Sequence, residues 1–291
     1  MIGGGILTAE YDEHKRQRRI LTPAFAVGHI RKITPHFWAK ANQLADVLIP
    51  VVQNQPPEGI DVTKWMNRVT LDIIGLAGFG FDFDSLTSED QEIPSTYRKL
   101  FQPDAATRIA ILLRGIFPPF KYLPLRANVE LDKARKTIRD TALSMIRLKQ
   151  AQGKDTEGRG ERDILGVMIE ENRKNRESGL AHDALSEEEM VNQVMTFLAA
   201  GYIVSGRVSD LRHETTSTTV TWGLYLLSIH QDVQERLRKE VGNVDLRETP
   251  TFEKIESMRY LNNVCREVLR FIPVGAPRLI TSANRSCHDD S

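Results

Sequence analysis

Apolar residues recur along most of this chain at spacings of three and four, and almost nowhere in strict alternation. From Thr34 to Gln53 the positions Phe37, Ala41, Leu44, Ala45, Leu48 and Val52 fall on one face of a helix, which Pro56-Pro57 ends. Val62 to Ala77 repeats the pattern through Trp65, Val69, Ile73 and Leu76, and Phe79-Gly80-Phe81-Asp82-Phe83 breaks it. Phe117-Pro118-Pro119 and Leu123-Pro124 mark a loop. Asn128 to Gln152 predicts a long charged helix with Leu131, Ala134, Ile138, Leu143 and Ile146 on one side. A polar linker follows from Gly153 to Arg162, then a helix from Asp163 to Asn175. Ser186-Glu187-Glu188-Glu189 is a capping box that opens another helix. Gln231 to Val241 and Phe252 to Phe271 are read as two more. The fold class predicted is mainly α, without an internal repeat.

Composition narrows the field. With 291 residues, 41% of them hydrophobic, the chain can bury one large core or two smaller ones. Its 39 basic and 39 acidic residues cancel, so no global field points to nucleic acid or an anionic membrane. Two cysteines, Cys265 and Cys287, make neither a disulfide framework nor a metal-binding pattern. No apolar run approaches the roughly 20 residues of a membrane span, and no signal peptide is visible. The opening Met1-Ile2-Gly3-Gly4-Gly5 stands close to a dense motif, which suggests a missing N-terminal part.

Three segments carry candidate chemistry. Tyr11 to Phe25 reads YDEHKRQRRILTPAF. Its Arg16, Arg18 and Arg19 either form a solvated basic run or grip a carboxylate or phosphate through charge-assisted forks. Glu267 and Arg270 stand one helical turn apart, among Val264, Val268 and Leu269. They are either a surface ion pair worth at most about 1 kcal/mol or a partly buried brace. In the third segment, Phe197 to Trp222, Ala199-Ala200-Gly201 and His213-Glu214-Thr215-Thr216 read as halves of one motif, separated by residues 202–212. Small Ala200 and Gly201 let something large and flat approach a helix backbone, and an acid followed by a hydroxyl, Glu214 and Thr215, could relay protons. The alternative is a small-residue helix contact with ordinary Ser/Thr back-bonding.

Together, in this order, the segments resemble the cytochrome P-450 superfamily, the haem-thiolate monooxygenases. His14-x-x-x-Arg18 is similar to the family's Trp/His-x-x-x-Arg motif, and Thr70 to Phe83 (TLDIIGLAGFGFDF) to the matching helix end in fungal members. Ala200-Gly201 joined to His213-Glu214-Thr215-Thr216 resembles the oxygen-activating motif, and Glu267-x-x-Arg270 the structural Glu-x-x-Arg pair. The resemblance implies an incomplete cytochrome P-450 fold over residues 1–273, haem as cofactor and hydroxylation of a small organic substrate with O2. It implies an NADPH-dependent reductase as redox partner and no role for nucleic acid. Arg18 and His14 would contact the haem propionates, Ala200 and Gly201 the ring, Glu214 and Thr215 would relay protons, and Glu267 and Arg270 would brace the fold. Family members are typically anchored in the endoplasmic-reticulum membrane; no anchor is seen in this sequence.

The chain also departs from that pattern. The family's axial ligand is a Cys thiolate in a Phe-x-x-Gly-x-x-x-Cys-x-Gly loop, whose electron donation favours O–O cleavage. No such loop follows Arg270 here: Cys265 reads as a small core residue and Cys287 has no Phe or Gly scaffold, so neither is assigned as a metal ligand. Removing residues 202–212 restores the oxygen-activating motif residue for residue, and after Pro273 the resemblance stops. Both features are expected of intron read-through, with an authentic loop insertion as the alternative for residues 202–212; either way residues 202–212 interrupt the helix, and residues 274–291 are a non-homologous tail. The chain as written is expected to be inactive; the alternative function is a non-catalytic helical fragment or binding module.

Overall fold

The computed structural model describes residues 4–54, 59–88, 96, 105–152, 163–179, 181–202, 216–242, 244 and 248–272. Among these every regular element is helical. In chain order they are α1 (Tyr11–Leu21), α2 (Val27–Gln53), α3 (Val62–Phe79), α4 (Ala105–Ile116), α5 (Arg126–Gln152), α6 (Ile164–Glu177), α7 (Glu187–Tyr202), α8 (Thr216–Ile229), α9 (Gln231–Val241), α10 (Phe252–Glu256) and α11 (Arg259–Phe271). Short 3-10 turns follow α1 and α4 and precede α7. The mainly α class therefore stands.

The core forms where α3 packs on α7, α2 and α8, and α5 packs on α7. Leu71, Phe79, Phe83, Ile138, Ile146, Met168, Val191, Val194 and Leu198 meet there, all buried. On α5 the periodic Leu131, Ala134, Ile138 and Ile146 are the buried positions, as burial of one stripe per helix requires, whereas on α3 the buried apolar positions are Met66, Val69, Leu71, Ala77 and Phe79, and Trp65, Ile73 and Leu76 of the predicted stripe are only half-buried.

Local chemistry sets the helix ends. Asp163 caps α6 by accepting from Gly166 N at 2.7 Å, and Lys149 at the end of α5 pairs with the same carboxylate. The capping box before α7 forms as its sequence predicts: Glu189 N donates to Ser186 Oγ at 3.2 Å, and Ser186 N to Glu189 Oε2 at 2.8 Å. Gly80 ends α3 in the left-handed conformation, φ 65°. The loop beyond folds back so closely that a Cβ on Gly75 would lie 2.5 Å from the Phe81 carbonyl and 2.5 Å from the Phe83 ring.

A buried polar clasp holds that returning loop. Asp72, wholly buried, accepts from Ser85 N at 2.8 Å and Leu86 N at 3.1 Å. Lys40 of α2, only 4% exposed, donates to both oxygens of Asp82 at 2.8 and 2.7 Å and to Gln43 at 2.8 Å. The Thr70 to Phe83 segment is thus tied to two helices by charge as well as by packing.

Three expectations are corrected. The single helix read from Phe252 to Phe271 is two, α10 and α11, because the Glu240 carboxylate of α9 accepts from Tyr260 N at 3.0 Å and Leu261 N at 2.8 Å and starts a new helix there. The helix read from Thr34 begins earlier, at Val27, and runs through Pro35 and Pro50. Cys265, read as a core residue, stands at an exposed position of α11.

Candidate functional site

α1 distributes its side chains by helical position. Gln17, Ile20 and Leu21 turn into the protein and are buried. Arg16 donates to the Ala184 carbonyl at 3.0 Å and pairs with Glu189 at the start of α7, and Arg19 pairs with Asp183 at 3.1 Å. Arg18 lies two positions from Arg16, about 200° around the helix, so it leaves on the flank away from Glu189. His14 precedes it by one turn on that same flank. Arg18 is exposed, and neither its guanidinium nor the His14 imidazole has a hydrogen-bond or ion-pair partner among the described residues. Among the described residues two of the three arginines meet a carboxylate and the third does not.

The face of α7 turned toward α1 is a regular stripe. Glu189 meets Arg16, Gln193 meets Gln17, and Phe197 meets Phe25 with ring centroids 5.9 Å apart. These positions recur every four residues, so the next turn of the stripe carries Ala200 and Gly201. Ala199 beside them is buried. The helix thus leads from the α1 contact directly into its small-residue turn.

A charged cleft of about 570 Å³ opens on the other flank of α1, lined by Lys15, Arg16, Arg19, Asp183 and Glu189 among others. No predicted site residue lines it. Its arginines are already compensated by carboxylates, which makes it a poor place for a further anion. At Glu189 burial opposes the charge, but hydrogen bonds from Ser186 and Arg16 outweigh it and hold the carboxyl below its usual range.

The remaining predicted residues separate into two groups. Glu214 and Thr215 lie outside the described residues, as do residues 203–212 of the insertion, the tail at 274–291, and Cys287. α7 ends at Tyr202 and α8 begins at Thr216. Glu267 and Arg270 share one face of α11 as spaced: Arg270 Nε donates to Glu267 Oε2 at 2.9 Å. Their side chains are 64% and 71% exposed, so the partial burial considered for this pair does not occur. At Cys265, desolvation raises the thiol pKa, the opposite of what a thiolate ligand needs.

Gln17 and Gln193 were missed. The signal was present: each is a polar residue in phase with apolar neighbours, Gln17 with Ile20 and Leu21, Gln193 with Met190 and Phe197.

By fold the chain is a helical protein in which α1 meets α7 through Arg16–Glu189 and Gln17–Gln193. The cytochrome P-450 family model matches residues 1–286. The chain is 34% identical over 311 residues to the cytochrome P-450 monooxygenase FUM15 of Gibberella moniliformis, covering 98% of this chain and 48% of that protein. It is 35% identical over 292 residues to the cytochrome P-450 monooxygenase sphH of Aspergillus fumigatus, covering 94% and 49%. The crystal structure of the cytochrome P450DA heme domain shares the fold, with a TM-score of 0.66 over 92% of this chain and 52% of that one, at 23% identity. The chain belongs to the cytochrome P-450 family. It spans about half the length of the curated relatives it matches.

Proposed function

We propose that this chain contributes the α1 and α7 wall of a haem site in a monooxygenase that hydroxylates a small organic substrate. The observation that carries this reading is that Arg18 is exposed with no acceptor among the described residues, on a helix joined through Gln17 to the α7 stripe that runs into Ala200-Gly201. Arg18 would hold one propionate through a charge-assisted fork, and His14, one turn away, would hydrogen-bond the second. Ala200 and Gly201, lacking bulk, allow a flat ring to lie against α7. When bound, haem supplies the iron at which dioxygen is activated. Glu214 and Thr215 are proposed to hold and pass protons, which requires residues 202–212 to leave the two motif halves adjacent. Electrons come from an NADPH-dependent reductase.

The partial domain is proposed to span residues 1–273, with 202–212 and 274–291 derived from introns. Genomic DNA lacking GT and AG at those boundaries would overturn that origin.

A second reading, a non-catalytic helical unit, is favoured by the solvent-exposed Glu267–Arg270 pair, which ties nothing beyond its own helix among the described residues. On either reading the 291 residues alone offer no thiolate scaffold, and we infer that they do not turn over substrate. The test is to add haemin to the purified chain, reduce it and admit carbon monoxide. The expected result is haemin uptake that depends on Arg18, without the Soret band of a thiolate complex. A thiolate-type band would overturn the inactivity; uptake indifferent to Arg18→Ala would overturn the site.

A further inference from the structure

Gln17 and Gln193 are 176 positions apart in sequence, and both are wholly buried. Gln193 Nε2 donates to Gln17 Oε1 at 2.6 Å. Gln193 Oε1 accepts from Ile6 N at 3.0 Å. Gln17 Nε2 donates to the Gly4 carbonyl at 3.2 Å and to Glu13 Oε1 at 3.1 Å. Every side-chain polar atom of the pair is therefore engaged. The Gly4-Gly5 backbone closes over it so tightly that a Cβ on Gly5 would lie 2.3 Å from Thr196 Oγ1 and 3.0 Å from the Asn192 carbonyl.

We propose that this amide pair is a register lock: it positions α1 against α7, and thereby sets where Arg18 and His14 stand relative to the Ala199-to-Gly201 turn. The other contacts between the two helices do not fix register. Apolar burial is non-directional and tolerates sliding. The tilted Phe25–Phe197 pair, made from the 3-10 turn after α1, is equally permissive, and the Arg16–Glu189 pair is partly solvated, so water can replace either partner after a slip. A buried amide pair has no such freedom. A slip by one residue moves a helix about 1.5 Å and turns it about 100°. The two amides would then lose each other inside the protein, and Gln17 would keep only Glu13 of its own helix. The same slip would swing Arg18 off its flank. A buried polar contact that fixes the pairing of helices at some cost in stability is an established use of such groups.

The register claim stands on the structure alone; its consequence for Arg18 rests on the haem-site reading above. The experiment has an arm for each. In the full chain, with Cys265→Ser and Cys287→Ser as background, spin labels are placed at Lys15 on α1 and Glu187 on α7. Distance distributions are compared for the parent, Gln17→Leu, Gln193→Leu and the double variant. The single variants each strand one buried amide and are expected to lower the melting temperature. The double variant removes both amides, so it is expected to regain part of that loss, the Ile6 amide and Gly4 carbonyl still lacking their glutamine partners, while its distance distribution broadens or shifts. A double variant with the parent's narrow distribution would overturn the proposal, as would a singly substituted chain that melts and measures like the parent. In the second arm haemin is titrated by quenching of tryptophan fluorescence. The double variant is expected to bind about tenfold more weakly than the parent, a loss of the size of one charge-assisted hydrogen bond. If the parent itself takes up no haemin, the haem-site reading fails and the label distances still decide the register lock. If the distances broaden but haemin affinity is unchanged, the lock exists and its link to Arg18 is refuted.

Discussion

Asn172 of α6 holds the Leu185 peptide at both of its polar groups: its side-chain amide donates to the Leu185 carbonyl at 3.0 Å, and its side-chain carbonyl accepts from the Leu185 amide. All of these groups are buried, so the segment entering α7 is fastened to α6 by a contact water cannot replace. Asn172→Leu is expected to leave the Leu185 amide unpaired, while the carbonyl keeps the Arg176 guanidinium at 3.1 Å, and to cost about 2 kcal/mol. The check is the urea midpoint, which should fall with little change in slope. A loss below about 1 kcal/mol would mean that the peptide finds other partners.

Gly75 and Gly78 make a controlled comparison within α3. A Cβ at Gly75 meets the Phe81 carbonyl and the Phe83 ring at 2.5 Å, whereas at Gly78 its nearest neighbour is Ile74 Cδ1 at 3.3 Å. Gly75→Ala is expected to destabilise by about 3 kcal/mol, since backbone must move. Gly78→Ala is expected to be neutral or stabilising, by up to about 1 kcal/mol from helix propensity. Equal melting temperatures for the two variants would contradict the close return of the loop.

His29 should make stability fall in mild acid. Burial pushes its imidazole below the usual range, against Asp163 and with help from Lys32, and its Nε2 has no partner among the described residues. The unfolded chain takes the proton at the ordinary value of about 6.5, whereas the folded chain resists it. The stabilisation from a neutral His29 is therefore complete above that value and is lost as pH falls through it toward the lowered folded pKa. Melting temperature is expected to drop between about pH 7 and pH 5, with a shallower drop in His29→Phe. Parallel profiles for the two proteins would exclude His29 as the source.

Glu240→Ala should remove the group that starts α11, freeing the amides of Tyr260 and Leu261. A loss of about 1 kcal/mol is expected, with faster hydrogen exchange at those two amides. Glu267 and Arg270 lie farther along the helix, and their amides should exchange as before. Exchange accelerated evenly along α11 would show that Glu240 supports the whole helix rather than its first turn.

Arg16 and Arg18 should separate stability from ligand binding. Arg16→Ala breaks a contact to Ala184 and Glu189 and is expected to lower the melting temperature. Arg18→Ala, at an exposed position without a partner among the described residues, is expected to change stability by less than about 0.5 kcal/mol. If Arg18→Ala destabilises as much as Arg16→Ala, its guanidinium serves the fold.

How far the sequence could be read followed from how local each cause is. The Ser186–Glu189 capping box is complete within four residues and forms as written. The boundary between α10 and α11 depends on Glu240, which lies 20 positions before Tyr260 in the chain, so nothing near the break announces it. α4 escaped notice because apolar residues run consecutively from Ile109 to Leu113 and hide the helical period. Arg16, Arg18 and Arg19 look alike in sequence. Only the positions of Glu189 and Asp183 show that two are spoken for. The exposure of Glu267 and Arg270 was equally hidden, because it depends on what lies over α11.

The clasp between α2 and α3 gives one lysine a distinct reactivity. Lys40 is 4% exposed and has all its neighbours on Asp82, Gln43 and Asp72, whereas Lys15 and Lys64 stand at exposed positions. An amine-directed acylating reagent will modify those accessible lysines at once but reach Lys40 only when α2 lifts from the returning loop. Mass-spectrometric timing of that one acylation therefore measures how often this part of the chain opens under native conditions.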